Sequence, residues 1–352
     1  MRQAGGCHNP ALPFREGDTE GNTSSRVYCV TGANGLLASW LIKCLLERGF
    51  HVRGSLRNIE KGEPLRHLAG VEERLELFEA DLLDETSLPP VIRGCHGVFA
   101  VASPLPSSHQ DEGGAIDLMT AAAINLLKAC CDAGTVKRVV FTSSMFAALQ
   151  VPHEGISCLS VDESFWTSPE YCREQRMPGW SYMAGKTEAE KVALEFGNEN
   201  GLEVVSILPS FVGGPFVGPH AVSSVYLFLK FMTDPQDWIV DFMRASCYVH
   251  VDDCARAHIL LMEDHRAHGR YLCSACDSSI AETLNVVSDL LKSFNVPPPK
   301  LNKELENTEI LYKINSTKLQ DLGFAYNVGS VHEIWKETMM SLIEKGLLKQ
   351  KF

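Results

Sequence analysis

"VYCVTGANGLLASWLIKCLLERG", residues 27–49, decides the fold of this chain. A short apolar run is followed by a turn with the spacing Gly32-x-x-Gly35-x-x-Ala38, and apolar residues at helical spacing begin at Leu36. Glycines permit a tight turn and close approach of a ligand to the backbone, and the free N–H groups at a helix start attract anions. The segment therefore predicts a strand, a pyrophosphate-binding turn and a helix.

Strands and helices continue to alternate after this segment. Further strands are predicted at 51–55, 75–79, 97–102, 138–142 and 204–208, and helices at 36–48, 84–93, 116–133 and 180–198. Strands that alternate with helices of this length are joined by right-handed crossovers and form a parallel sheet covered on both faces. The predicted fold class is α/β, with a doubly wound parallel sheet of the Rossmann type.

Composition limits the classes of partner. The chain of 352 residues has a net charge of −12, which argues against nucleic acids and anionic membranes. Twelve scattered cysteines predict buried thiols in a reducing compartment. Residues 1–25 lack the apolar core of a signal peptide, and we find no run approaching the ~20 apolar residues of a membrane span. We expect a cytoplasmic protein that is a monomer or a homodimer.

One pair of cysteines, Cys273 and Cys276, is close in sequence. No second pair and no histidine at ligand spacing accompany it, which argues against zinc, and no metal is expected. Whether the two thiols form a redox pair is left open by the sequence.

Basic residues follow the second predicted strand, in "HVRGSLRNIEK", residues 51–61. An acidic residue there would bind the adenosine ribose of NAD, whereas an arginine would accommodate a 2′-phosphate. No acid precedes Glu60, but Arg53, Arg57 and Lys61 are present, so NADP(H) is favoured over NAD(H). The competing interpretation is that these are solvated charges after a strand. Asp81, after the third strand, either accepts from the adenine amino group or belongs to a turn.

A second group of polar residues predicts chemistry. In "PGWSYMAGKTEAEK", residues 178–191, Tyr182 and Lys186 fall on the helical stripe that should be buried. Lysine is rarely buried without a partner. Ser143 and Ser144 leave the fifth strand at the carboxyl edge of the sheet, where ligands of such sheets bind.

These residues suit hydride transfer to or from a carbonyl group. The Lys186 ammonium would bind the nicotinamide ribose and lower the pKa of Tyr182, whose ordinary value is near 10. Tyr182 would then exchange the proton while a seryl hydroxyl orients the carbonyl. The competing interpretation is a chance Tyr-x-x-x-Lys pair whose lysine reaches water.

In combination, TGANGLLA, FTSS, Tyr182-x-x-x-Lys186 and YVHVDDCARAHI resemble the extended short-chain dehydrogenase/reductases, specifically the plant dihydroflavonol, vestitone, anthocyanidin and cinnamoyl-CoA reductases. The resemblance covers nearly all of residues 27–348. It implies that Ser144, Tyr182 and Lys186 are catalytic and that Asp252 or Asp253 caps the helix beginning there. The implied cofactor contacts are Gly32, Asn34, Gly35, Leu36, Arg57, Lys61, Asp81, Leu82, Val101, Ala102, Ser103, Tyr182, Lys186 and Pro209.

We therefore predict an NADPH-dependent oxidoreductase that reduces a carbonyl group in a phenolic or flavonoid-type plant metabolite, as dihydroflavonol and vestitone reductases do. Substrate contacts are expected after Ser144 and Pro209, where apolar side chains form either a flat pocket or plain core; the candidates are Met145, Phe146, Leu149 and Phe211. Two alternatives remain: a cinnamoyl-CoA or aldehyde reductase, and a non-catalytic NADP(H)-binding regulator. The complete Ser, Tyr and Lys set favours an enzyme.

Past Pro209 the alternation gives way to a loop rich in glycine and proline and to shorter elements, with helices predicted at 252–263, 279–294 and 331–344. We predict a disordered tail at 1–25, an NADP-binding Rossmann domain at 26–210 and a smaller, mixed substrate-binding lobe mainly at 211–352, packed on the first domain.

Overall fold

The computed structural model describes residues 26–105, 114–151, 158–297 and 309–351, so the predicted tail lies outside the described residues. The strands are β1 Val27–Thr31, β2 His51–Leu56, β3 Leu75–Glu79, β4 Gly97–Ala100, β5 Arg138–Thr142, β6 Leu159–Val161, β7 Glu203–Pro209, β8 Phe211–Gly213, β9 Cys247–His250, β10 Gly269–Cys273, β11 Cys276–Asp277 and β12 Tyr312–Ile314.

The α-helices are α1 Leu36–Glu47, α2 Val71–Arg74, α3 Pro89–Ile92, α4 Gly114–Ala133, α5 Pro169–Glu174, α6 Trp180–Asn200, α7 Ser224–Thr233, α8 Asp237–Met243, α9 Val251–Glu263, α10 Ile280–Ser293, α11 Thr317–Asp321 and α12 Val331–Glu344. Short 3-10 helices occupy Ile59–His67, Glu85–Ser87 and Met145–Ala147. The single helix predicted at 84–93 is wrong: it is broken because Pro89 and Pro90 have no N–H for the preceding turn.

Seven parallel strands form the main sheet, in the order β10-β7-β5-β4-β1-β2-β3. Alternate residues of β4 enter opposite cores: Val98 packs with the α4 and α6 side, whereas Phe99 packs with the α1 and α9 side. A parallel sheet covered by helices on both faces is the predicted doubly wound fold. The two central strands, β1 and β4, end beside each other and open the crevice in which ligands of such folds bind.

Helix α4 is long and apolar enough, by composition, to cross a membrane. It lies along α6, and Met119, Ala122, Ala123, Leu126 and Leu127 are buried between that helix and the sheet. Its composition is therefore accounted for by packing against the sheet.

A smaller mixed sheet, in the order β11-β9-β8, packs with α7 and α12 around Phe228, Tyr248 and Trp335. The chain returns from there to the main sheet, because β10 pairs with β7 and α9 covers the sheet beside α1. The domain boundary at residue 210 stays a prediction.

Helix α9 begins differently from the prediction. His250, and neither aspartate, is the N-cap: its Nδ1 accepts from the backbone N–H of Asp252 at 3.2 Å. Asp252 accepts from the indole N–H of Trp40 at 3.0 Å, and Asp253 accepts from the backbone of Asn327 at 2.9 Å. Both carboxylates lie inside the first turn and bind other segments, so they cannot fold back as caps.

Candidate active site

The glycine turn between β1 and α1 has the geometry of an anion site. Gly32 has φ +69°, and a Cβ added there would lie 2.9 Å from Cβ of Ala102, so only glycine fits. The backbone N–H of Gly35 donates to the Gly32 carbonyl at 2.8 Å. Helix α1 begins at Leu36 with Gly35 as its N-cap and with no capping side chain, which leaves the first N–H groups available to phosphate oxygens. Asn34 is exposed at the tip of the turn.

Two of the three basic residues near the end of β2 lie free at the surface beside this turn. Arg57 is the first residue after β2, Lys61 lies in the following 3-10 helix, and both are exposed. The carbonyl of Ser55, two residues before Arg57, accepts from the backbone of Ala33 in the glycine turn at 2.8 Å. The Arg53 guanidinium is bound to another segment, because it donates to the Arg93 carbonyl at 2.6 Å. Arg57 and Lys61 thus fit a 2′-phosphate, whereas Arg53 does not.

Asp81 forms a turn, which was one of its two predicted roles. Its Oδ1 accepts from the backbone N–H of Leu83 at 3.0 Å, and its carbonyl accepts from that of Asp84. Leu82 is buried, and its carbonyl accepts from the side chain of Asn125 on α4 at 3.0 Å. The adenine contacts of Asp81 and Leu82 stay predictions.

Lys186 is buried, and the structure shows its partners. The ammonium Nζ donates to the Ser103 hydroxyl at 2.6 Å and to the Thr142 carbonyl at 3.0 Å, so it joins the segment after β4 to the end of β5. Burial lowers the pKa of Lys186 from 10.5 to about 8, with Glu190 acting in the opposite direction. Val101 and Ala102 are half-buried before Ser103, and Pro209 is buried at the end of β7. All of these residues lie at the carboxyl edge of the sheet.

Tyr182 is half-buried on the same helix, one turn before Lys186. Burial raises the pKa of Tyr182, and a hydrogen bond with the Ser144 hydroxyl acts against that rise. Lys186 directs its ammonium to Ser103 and Thr142 here, so the lowering of this pKa that is expected with a bound cofactor stays a prediction. Ser144 also accepts from the backbone of Phe146 at 3.3 Å, which fixes it at the start of the 3-10 helix after β5.

Aromatic rings from three segments form a cluster on one side of the tyrosine. Phe146 lies 6.4 Å from the Tyr182 ring and 4.6 Å from Phe242, and Phe211 lies 5.7 Å from Phe146. Phe146 and Phe211 were predicted, whereas Phe242, on α8 of the smaller lobe, was missed because nothing local distinguishes it from core. Met145, Phe146, Leu149 and Phe211 are all buried in the large core, which favours the packing interpretation for these four, whereas Phe242 is half-buried.

Both members of the close cysteine pair, Cys273 and Cys276, are free thiols. Cys254 hydrogen-bonds with the buried Cys273, and Cys276 is half-buried beside Cys247. The cysteines in the described ranges are free, and no group of three metal-binding side chains occurs within those ranges.

Comparisons with known proteins identify the family of this chain. Residues 28–273 match the model of the NAD dependent epimerase/dehydratase family. The chain is 37% identical over 325 residues to a dihydroflavonol 4-reductase of Zea mays, covering 91% of this chain and 89% of that protein. It is 38% identical over 329 residues to cinnamoyl-CoA reductase 1 of Petunia hybrida, covering 93% and 95%. The crystal structure of vestitone reductase from alfalfa (Medicago sativa L.) matches with a TM-score of 0.75 and 32% identity, covering 92% of this chain and 99% of that one.

Proposed function

Because this chain belongs to the NAD dependent epimerase/dehydratase family, and is an NAD(P)-dependent oxidoreductase of the extended short-chain dehydrogenase/reductase type, we propose that it uses NADPH to reduce the carbonyl group of a phenolic or flavonoid-type metabolite. The observation that carries the proposal is the convergence of Ser144, Tyr182 and Lys186 at the carboxyl edge of the sheet. Nothing in a purely structural or regulatory role requires these three groups together.

The protonated state of Tyr182 at neutral pH suits the direction of reduction. A tyrosine that stays protonated at neutral pH is a proton donor, and a carbonyl oxygen that accepts a hydride needs a proton. NADPH, when bound, supplies the hydride. The Ser144 hydroxyl, already hydrogen-bonded with the phenol, orients the carbonyl oxygen between itself and Tyr182. Lys186 binds the nicotinamide ribose, and its positive charge favours the phenolate that remains after proton transfer.

The preference for NADPH rests on Arg57 and Lys61. Both are exposed at the end of β2, next to the glycine turn, where the 2′-phosphate of the adenosine would lie. A guanidinium binds a phosphate through two parallel hydrogen bonds. No acidic residue stands between β2 and Glu60 to accept from a free ribose diol.

The substrate class rests on the rings around Tyr182 and on the relatives. Phe242, half-buried and 6.5 Å from the Tyr182 ring, provides an apolar face on which a flat aromatic compound can stack, and the buried rings of Phe146 and Phe211 pack against it. The relatives carry the names dihydroflavonol 4-reductase, cinnamoyl-CoA reductase and vestitone reductase, and their identities of 37%, 38% and 32% are too similar to choose one substrate. We propose a dihydroflavonol or an isoflavanone such as vestitone as the first candidate and a cinnamoyl thioester or aldehyde as the second.

The test is the loss of NADPH absorbance at neutral pH with dihydroflavonols, isoflavanones, phenolic aldehydes and a cinnamoyl thioester. Tyr182→Phe should lower kcat by roughly 10²-fold to 10⁴-fold while NADPH still binds, because only the proton donor is lost. Tyr226→Phe, which changes an exposed tyrosine on α7, is the matched control and should retain activity. Full activity of Tyr182→Phe would refute the mechanism. Tight NADPH binding without turnover of any compound would favour the regulator.

A further inference from the structure

A buried acidic residue lies behind the site and has no place in the chemistry so far. Glu190 lies on α6, one turn after Lys186, and is fully buried. Its Oε2 accepts from the Ser143 hydroxyl at 2.7 Å, and its Oε1 accepts from the Ser206 hydroxyl at 2.7 Å. Arg270 on β10 donates to the same carboxylate, with Nε at 2.8 Å from Oε1 and Nη2 at 3.2 Å from Oε2.

Arg270 extends this contact to two further segments. Its Nη1 donates to the carbonyls of Glu163 and Phe165, and its Nη2 donates to that of Ala147 at 3.3 Å. The guanidinium lies 3.5 Å from the centre of the Trp166 ring. A guanidinium has five N–H groups, and these contacts use all of them. Arg270 therefore holds the 163–166 segment and the 3-10 helix that follows Ser144 against α6.

Stability by itself is a weak reason for such a pair. Two buried charges lose about as much hydration free energy as they gain from their attraction to each other. A protein in which apolar residues replace such a pair is often as stable. A fully hydrogen-bonded charged pair does, however, restrict its partners to one arrangement. The partners here are the neighbour of Ser144, the helix that carries Tyr182 and Lys186, and the loop after Ser144.

We propose that Glu190 and Arg270 form a positioning pair that fixes the Ser144 hydroxyl relative to Tyr182 and Lys186. The inference rests on the proposed function, since it assigns these residues to the same reaction. A displacement of about 1 Å in such a set can slow the reaction 10²-fold.

The charge of Glu190 acts on Lys186 as well. It raises the pKa of Lys186 against the effect of burial, so the carboxylate helps to keep the ammonium charged near neutral pH. Other charged or titratable groups of this region are Tyr182 on α6, Arg270 on β10 with Glu163 and Lys318 beside it, and His258 on α9, whose Nε2 lies 2.9 Å from the Thr142 hydroxyl. Burial lowers the pKa of His258 to about 4, so this ring is neutral at the pH of the experiments.

The test compares two buried carboxylates. Glu190→Gln removes the negative charge at the site. Asp253→Asn removes the charge of a second fully buried carboxylate, which pairs with Arg256 on the opposite face of the sheet. Both variants should lose thermal stability. Only Glu190→Gln should lower kcat, by about tenfold or more, with a smaller change in KM, because the catalytic groups are displaced. Only this variant should also move the alkaline decline of kcat to lower pH, because Lys186 loses a neighbouring negative charge. A Glu190→Gln enzyme with unchanged kcat and pH profile would show that the pair is structural only.

Arg270→Lys provides a second test if Glu190→Gln does not fold. A lysine keeps the charge opposite Glu190 but has three donors for five contacts, so kcat should fall while the pH profile stays in place. Wild-type kcat in Arg270→Lys would overturn the proposal.

A separate binding measurement distinguishes failure of this inference from failure of the proposed function. If no carbonyl compound is reduced, the pH dependence of NADPH affinity still reports on Lys186. Weakening of NADPH binding at a lower pH in Glu190→Gln than in the wild type supports the coupling, and superimposable curves refute it.

Discussion

Replacing Lys186 by methionine should change the pH dependence of stability in a calculable way. Burial lowers the pKa of Lys186 in the folded protein to about 8, against 10.5 in a freely exposed lysine. Below pH 8 the folded state must keep a buried charge. Between pH 8 and 10.5 the unfolded chain binds more protons than the folded protein, so the free energy of unfolding rises with pH. The Lys186 proton changes the free energy of unfolding by about 3 kcal/mol in total, and about 2 kcal/mol of this rise occurs between pH 7 and 9.5.

Urea unfolding at these two pH values measures this effect by linear extrapolation. The difference in unfolding free energy, wild type minus Lys186→Met, should shift by about 2 kcal/mol in favour of the wild type from pH 7 to 9.5. All other titrating groups cancel in the difference. Lys191→Met, on the exposed side of the same helix, should show no such shift. If the Lys186→Met difference is the same at both pH values, the ammonium is solvated and the assigned contacts with Ser103 and Thr142 are wrong.

Three further predictions concern binding. Gly32→Ala should weaken NADPH affinity at least tenfold, because its Cβ would lie 2.9 Å from another side chain; Gly201→Ala, with φ +67° and open space around it, should lose some stability but no affinity. Arg57→Ala should lower the ratio of NADPH to NADH affinity by about tenfold, and an unchanged ratio in equilibrium titrations would move the phosphate site elsewhere. Phe242→Ala should raise KM for an aromatic substrate by about tenfold with NADPH affinity unchanged; equal KM values in steady-state assays would place the substrate away from α8.

The elements with strong local patterns were predictable from the chain. The strand, glycine turn and helix at residues 27–49 are indicated by apolar spacing and turn residues that lie within a few positions of one another. Strand β1 has the predicted bounds. The buried position of Lys186 followed from the helical period alone, because residues four apart on a helix share a face. The Rossmann fold class followed from the alternation of these elements.

Tertiary structure alone decided which groups meet. Glu190 and Arg270 are 80 positions apart, and β10 joins the main sheet after the chain has passed through the smaller lobe. Phe242 on α8 lies 6.5 Å from the Tyr182 ring on α6, a contact between segments that are far apart in the chain. Burial by several segments likewise raises the pKa of Tyr182, which the motif alone does not indicate. Local periodicity shows which face of an element is buried, but the partner across the interface depends on packing between distant segments, for which a single sequence carries no local signal.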